Sequence, residues 1–275
     1  MEDRVQRRVQ RYGWDLAAAE YEELWRPQLA VAQSKLLELA APARGERILD
    51  VACGTGLVSF AAAAAVQRDG HVLGVDISGR MVDAAVARGR ERGVENVSFE
   101  RMDAECLAMA DASVDLALCS LGLMYLPDPA VALGEMRRVL RPGGRMALAI
   151  WGEPTRCGWA AVFPVVAEHV ASDVCPLFFQ LGKGDALAEA CAQAGFTSIA
   201  VHRLQTTLQH ANEDEACRAA FVGGPVAMAW NRFSDATRAA ARSRYLEGIA
   251  EWRQADGRYA MPGEFVIAIA TLRPA

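Results

Sequence analysis

From about residue 47 the chain alternates short apolar runs with amphipathic stretches, and this rhythm predicts its architecture. The apolar runs Arg47–Val51, His71–Asp76, Val97–Met102, Val114–Ser120 and Arg145–Trp151 have strand length. Between them, Leu57–Val66, a stretch running from the N-cap Ser78 to Arg92 before Gly93, and Pro129–Leu140 have helical length and spacing. Strands alternating with helices predict an α/β, doubly wound, mostly parallel sheet covered on both faces. Upstream, Tyr21, Leu24, Trp25, Leu29, Val31, Leu36 and Leu39 recur at helical spacing, and Pro27 is expected to divide that region into two helices. Beyond Trp151 the rhythm breaks. Asp185–Ala194 reads as a short helix stopped by Gly195, and Ser198–Leu208 and Glu264–Leu272 as strands six and seven. Two long segments remain, Gly152–Gly184 and Ala211–Gly263. Both are expected to leave the C-terminal edge of the sheet, where open α/β folds bind ligands.

The chemistry sits at the strand ends. Ile48-Leu49-Asp50-Val51-Ala52-Cys53-Gly54-Thr55-Gly56 is a strand closing on an acid and running into a glycine turn. Gly54 and Gly56 lack Cβ atoms, so the backbone there can turn tightly against a ligand. The next strand ends in Asp76, about twenty residues on, where a carboxylate can accept both ribose hydroxyls. A third acid, Asp103, follows strand three and suits an adenine amino group.

With these residues, and with Arg141-Pro142-Gly143-Gly144 before the fifth strand, the chain resembles the class I S-adenosylmethionine-dependent methyltransferases over roughly residues 45–152. It is most similar to the methyltransferase type 11 branch, which contains the quinone-biosynthesis C-methyltransferases. The resemblance implies a Rossmann-like sheet of seven strands whose C-terminal strand is antiparallel and lies between the fifth and sixth, with a helical substrate cap. It also implies S-adenosyl-L-methionine as cofactor. Asp50, Gly54, Thr55 and Gly56 would shape the methionine side, Asp76 would hold the ribose, and Asp103 and Ala104 the adenine, while Ala52, Cys53, Ile77 and Met81 would also bind the cofactor. Ser120 and Leu121 would lie beside the sulfonium, with Tyr12, Tyr21 and Trp25 as aromatic candidates to face it by a cation–π attraction. On this reading residues 1–275 form one methyltransferase unit: N-terminal helices at 1–44, a cofactor-binding core at 45–152, and cap insertions at 153–184 and 211–263.

Composition narrows the partners. The chain has 275 residues, an apolar share of 52%, a charged share of 23% and a net charge of −5, which describe a globule with ample core. That charge argues against a nucleic-acid surface. The one basic cluster, Arg4, Arg7, Arg8 and Arg11, follows Glu2 and Asp3 and reads as a solvated helix face rather than a transit peptide. No run is long enough to span a bilayer. The seven cysteines are scattered and form no CxxC, consistent with buried free thiols and a cytoplasmic protein that acts on a small molecule without a metal. A set of Cys157, Cys175, Cys191 and Cys217 for arsenite matches no ligand spacing.

After strand four stands Ser120-Leu121-Gly122-Leu123 in place of the Asn/Asp-Pro-Pro-Tyr tetrapeptide of nucleobase amine methylases. Met124-Tyr125 departs from the Arg-Asn usual in the quinone enzymes. His169, expected in a cap helix, is the general-base candidate among four histidines, and Tyr125 could orient a phenol or carboxylate. Trp151, Trp159, Phe163, Phe178, Phe179, Trp230 and Trp252 favour an apolar or aromatic acceptor. An NAD-dependent oxidoreductase is the alternative, weakened by Ser59 at the third glycine position and by Asp103, and a non-catalytic cofactor-binding protein is another.

Overall fold

The computed structural model describes residues 3–170 and 178–274. Its element order is α1 (Asp3–Ala40), β1 (Arg47–Val51), α2 (Leu57–Val66), β2 (His71–Asp76), α3 (Gly79–Glu91), β3 (Val97–Arg101), β4 (Val114–Ser120), α4 (Pro129–Val139), β5 (Leu140–Trp151), α5 (Val162–Ala167), α6 (Ala186–Gln193), β6 (Thr197–His210), α7 (Glu213–Phe221), α8 (Ala227–Arg232), α9 (Asp235–Gly248) and β7 (Tyr259–Thr271). The sheet order is β3-β2-β1-β4-β5-β7-β6. β1 to β5 pair in parallel, and β7 lies antiparallel between β5 and β6, as the resemblance implied. Helices cover both faces, so the central strands are buried throughout: Leu116 to Cys119 and Met146 to Ile150 are each fully buried.

Two expectations are corrected. Pro27 does not divide α1, which is one helix of 38 residues with the proline inside. An interior proline costs about 3 kcal/mol. Leu24, Trp25, Leu29, Ala32, Leu36 and Ala40 bury one continuous face, and burying a large apolar side chain contributes about 1.5–3 kcal/mol. Four such residues outweigh the proline, provided the face stays continuous. The fifth strand also begins earlier than Arg145. Leu140 already pairs with Val114, and the Arg-Pro-Gly-Gly turn is an excursion from the strand, with Gly143 in the left-handed region at φ +77°.

The C-terminal ends of β1, β2, β4 and β5 open on one edge of the sheet, and the segments after β5 and β6 leave from that edge. Among the described residues no helix is long and apolar enough to cross a membrane, and no His/Cys/Asp/Glu cluster could hold a metal ion.

Candidate active site

Three adjoining cavities occupy this edge. The first is lined by Ala52, Gly54, Asp76, Ile77, Met81, Met102, Asp103, Ala104, Ser120 and Leu121, together with Arg7, Gln10, Trp14 and Tyr21 of α1 and Tyr125. The second continues from it behind the glycine turn, along Asp50, Cys53, Thr55, Ala52, Gly54, Ser120 and Tyr21. A third lies beyond Tyr21, Trp14, Leu121 and Tyr125 and is walled by Trp25, Leu29, Trp151, Trp159 and Gly223-Gly224-Pro225.

The loops that build the edge are conformationally strained. Gly54 and Gly56 sit at φ +54° and +85°, and the non-glycine residues Ala52 and Leu121 also have positive φ, +54° and +61°. Glycine takes such angles freely, whereas a non-glycine residue held there costs about 1–3 kcal/mol, and such residues concentrate at functional sites. Gly56 lines no cavity. Instead it lets α2 start against the aromatic pair Phe60 and Phe99, where a Cβ would lie 2.8–2.9 Å from the rings. Between the strained residues, a side chain at Gly122 would collide with Ala52.

Three carboxylates face the first two cavities. Asp76 is 8% exposed, and its oxygens accept from Gly54 N and Ser78 N, each at 2.9 Å. Burial raises it to about 6 despite those bonds. Asp50, deeper still, accepts from Ser59 Oγ at 2.5 Å, and burial lifts it to about 7. Its Oδ1 has no partner, and neither does Ser120 Oγ, although both atoms are buried. Asp103 pairs with Arg7 Nε at 3.1 Å, and Arg7 also bonds Glu105, tying the start of α1 to the loop after β3.

These features fit a cationic nucleoside. The unpartnered Asp50 Oδ1 and Ser120 Oγ can receive an ammonium group, while Asp76 and Asp103 supply acceptors for hydroxyl and amino groups. Fold and site thus define a Rossmann-like protein with a cavity at the C-terminal edge of its sheet that is lined by buried carboxylates. A family model described as "methyltransferase domain" matches residues 42–162. The demethylmenaquinone methyltransferase of Staphylococcus aureus is 33% identical over 186 residues, 67% of this chain and 75% of that protein. Aklanonic acid methyltransferase DauC of Streptomyces sp. strain C5 is 33% identical over 147 residues, 54% of this chain and 67% of that one. Against the Listeria welshimeri demethylmenaquinone methyltransferase the match spans 58% of the relative's length. Among solved structures, YcgJ of Bacillus subtilis covers 90% of this chain and 100% of its own at TM-score 0.64 and 19% identity, a likeness of fold. The chain belongs to the S-adenosylmethionine-dependent methyltransferases, and its cofactor is S-adenosyl-L-methionine.

The individual residue expectations fare differently. Asp50, Ala52, Cys53, Gly54, Thr55, Asp76, Ile77, Met81, Asp103, Ala104, Ser120, Leu121 and Tyr21 line the first two cavities. Gly56 shapes the loop from behind. Trp25 lines the third cavity and not the first two, and its Nε1 donates to Ala219 O at 3.2 Å. Tyr12 is 42% exposed beside Arg8 and Arg11 and lines an open pocket that shares Arg7, Ile77, Met102 and Asp103 with the first cavity, so it stands next to that cavity without lining it. His169 follows α5 on an exposed turn instead of lying within a helix, stands edge-on to Phe233, and lines none of the three cavities. Cys53, Cys119, Cys157, Cys191 and Cys217 are buried free thiols whose ionisation burial opposes, while Cys106 is exposed. Cys175 lies outside the described residues. Arg7, Gln10 and Trp14 were missed, although with Ala17 and Tyr21 they repeat at helical spacing along α1.

Proposed function

We propose that the chain transfers a methyl group to a small, apolar, aromatic acceptor seated in the third cavity. The carrying observation is that this chamber adjoins the first cavity through a shared wall of Trp14, Tyr21, Leu121 and Tyr125, and that among the described residues no Asp, Glu, Lys, Arg or His lines it. The wall is apolar, which agrees with the aklanonic acid and demethylmenaquinone in the relatives' names, but the space it encloses is at most about 300 Å³, so a fused-ring acceptor would have to displace the cap residues Trp159 and Gly223-Gly224-Pro225. Both inserted segments contribute to it, Trp159 from the first and Gly223-Gly224-Pro225 from the second, which supports their role as a cap.

Bound S-adenosylmethionine supplies a methyl group on cationic sulfur. Trp14 and Tyr125 meet edge to face with ring centroids 4.9 Å apart, and Trp14 and Tyr21 at 5.7 Å. Their faces can stabilise a cation by roughly 0.5–2 kcal/mol. Tyr21 is held neutral, because burial and then Asp76 and Glu22 push its hydroxyl upward. With no carboxylate, histidine or lysine on the chamber wall among the described residues, catalysis on this reading rests on alignment and exclusion of water. The acceptor is therefore one that arrives with its electron pair available, as a carboxylate, a phenolate or a carbon activated by one.

The test is a turnover assay for S-adenosylhomocysteine across quinols, fused-ring phenols, aryl carboxylates, alkyl amines and nucleosides. Turnover confined to the first three classes is expected; turnover with amines or nucleosides alone would overturn the assignment.

A further inference from the structure

The first inserted segment leaves β5 after Trp151, and its two ends meet at one point: a Cβ at Gly182 would collide with Trp151 O and Gly152 O. β6 and β7 close this neck with an ion pair. Glu264, the one charged side chain on β7, is 1% exposed. Its Oε2 accepts from Glu153 N at 3.2 Å and from Arg203 Nη1 at 3.1 Å, and its backbone O accepts from Gly152 N at 2.7 Å. Arg203 Nη2 reaches the far end of the segment, donating to Gly182 O at 3.1 Å and to Gly184 O at 2.5 Å. Arg156, within the segment, places a second cation 3.3 Å from Glu264 Oε1. One carboxylate and one forked guanidinium therefore join both ends of the insertion to the sheet.

Packing alone gives no reason for this charge. Phe265, Val266, Ile267 and Ala268, which follow it on β7, are apolar and buried, and well-packed apolar residues in place of a buried ion pair are often neutral or stabilising. The neck also abuts the chamber. Trp151 lines the chamber, and its ring lies 4.2 Å from Phe265 and 5.1 Å from Trp159 between centroids. Cys157 Sγ donates to Glu264 O at 3.7 Å, just before the turn Gly158–Ala161 that carries Trp159. Neither Glu264 nor Arg203 lines the first two cavities.

We propose that Glu264 and Arg203 are positioning residues for the acceptor: their ion pair clamps the neck of the first insertion, so that Trp159 yields to an entering ring while the segment that carries it stays seated on the chamber. The clamp stands on the contacts above, and its effect on the acceptor rests on the reading of the chamber given under Proposed function. Opening the neck frees the insertion locally, at a cost far below that of unfolding the sheet. Acceptor binding therefore depends on the pair, and cofactor binding does not.

The experiment compares wild-type, Glu264→Gln, Arg203→Ala and Arg203→Lys, each loaded with S-adenosylhomocysteine, by amide hydrogen exchange and by calorimetric titration with 1-naphthol. In Glu264→Gln and Arg203→Ala, exchange over residues 153–167 and 178–184 should quicken at least about tenfold, with β1 to β4 unchanged. The same two variants should bind 1-naphthol about tenfold more weakly, with affinity for S-adenosylhomocysteine within about twofold of wild-type. Arg203→Lys keeps the charge but cannot reach both glycine carbonyls, so it should fall between wild-type and Arg203→Ala. Unchanged exchange in the insertion, or faster exchange throughout the sheet, would overturn the clamp. A loosened insertion with 1-naphthol bound as before would overturn the positioning role and leave the chamber assignment standing. If wild-type binds no 1-naphthol while it holds S-adenosylhomocysteine, the chamber assignment falls and the positioning role with it, while the exchange data still decide the clamp. Should Arg203→Ala fail to fold, Glu264→Gln decides, since it keeps the side-chain shape and an acceptor for Glu153 N.

Discussion

Asp76 anchors the glycine loop and is proposed here to hold the cofactor, so removing its carboxylate should separate two magnitudes. In Asp76→Ala, Gly54 N and Ser78 N lose acceptors at 2.9 Å inside a site where Asp76 is only 8% exposed. Leaving a buried donor unsatisfied costs about 1–3 kcal/mol, so the pair costs about 2–6 kcal/mol before water enters the space. That is a large part of a typical stability of about 5–15 kcal/mol, and the melting temperature should fall by several degrees. Binding should suffer as well, because a hydrogen bond to a charged group contributes about 1.5–3 kcal/mol. An expected loss of roughly 10–100-fold in affinity for S-adenosylhomocysteine follows. Calorimetry at 25 °C on the folded fraction, set beside a thermal melt, reads both. Asp76→Asn should recover part of the stability, since one carbonyl oxygen remains to accept, but little of the affinity. If Asp76→Ala melted like wild-type, the loop-anchoring argument would be wrong. Affinity within about twofold of wild-type would remove Asp76 from the cofactor site.

Two further outcomes are expected. Asp50 and Asp76 lie at about 7 and 6 in the fold against an ordinary 3.8, so their contribution to stability is fully present below about pH 4 and is lost as pH rises through 6–7. A cationic ligand favours the ionised carboxylates, so binding near pH 6.5 should release protons and weaken below pH 6; a binding enthalpy identical in buffers of different ionisation heat would refute this. His169→Ala should lose less than about tenfold in kcat, because the exposed ring lines none of the site cavities, whereas a positioned general base contributes about 10²–10⁴-fold; a thousandfold loss with cofactor affinity intact would restore it as the base.

The sheet and the cofactor loops were legible because their signals are local. Apolar runs of strand length, a capping Ser78 whose Oγ accepts from Met81 N at 3.1 Å, and glycines at positions needing positive φ each act over a few residues. Pro27 misled because its cost is local, while the gain that outweighs it comes from tertiary packing along the whole of α1. Trp25 misled differently. It is one helical turn from Tyr21, a rise of about 6 Å, and that turn carries it out of the cofactor cavity and into the chamber. Trp14 was recoverable from its i, i+3, i+4 spacing with Gln10, Ala17 and Tyr21, but the eye follows apolar residues, and the Arg7 and Gln10 that begin the stripe are polar. His169 was not recoverable, since nothing in Ala167-Glu168-His169-Val170 says which way a turn after a short helix faces.

The two cavities divide the electrostatic work. Around the cofactor the protein buries carboxylates that burial alone would keep protonated, so the site is costly when vacant of positive charge and relieved when a cation enters. Among the described residues the chamber wall carries no charged side chain. Between them stand Trp14, Tyr21 and Tyr125, whose faces tolerate a cation on one side and an apolar ring on the other. Two of these three come from α1, which also supplies Arg7 and Gln10 to the first cavity and Trp25 and Leu29 to the chamber. One rigid helix therefore positions both the proposed acceptor and the cofactor. Alignment to within about 3–3.5 Å of the reacting atoms is what proximity catalysis requires. A helix broken at Pro27 would leave Leu29 and the rest of the buried face free to shift against Trp14 and Tyr21. The continuity of α1 across its proline is thus a condition for holding the chamber and the cofactor cavity in register, as well as a matter of packing.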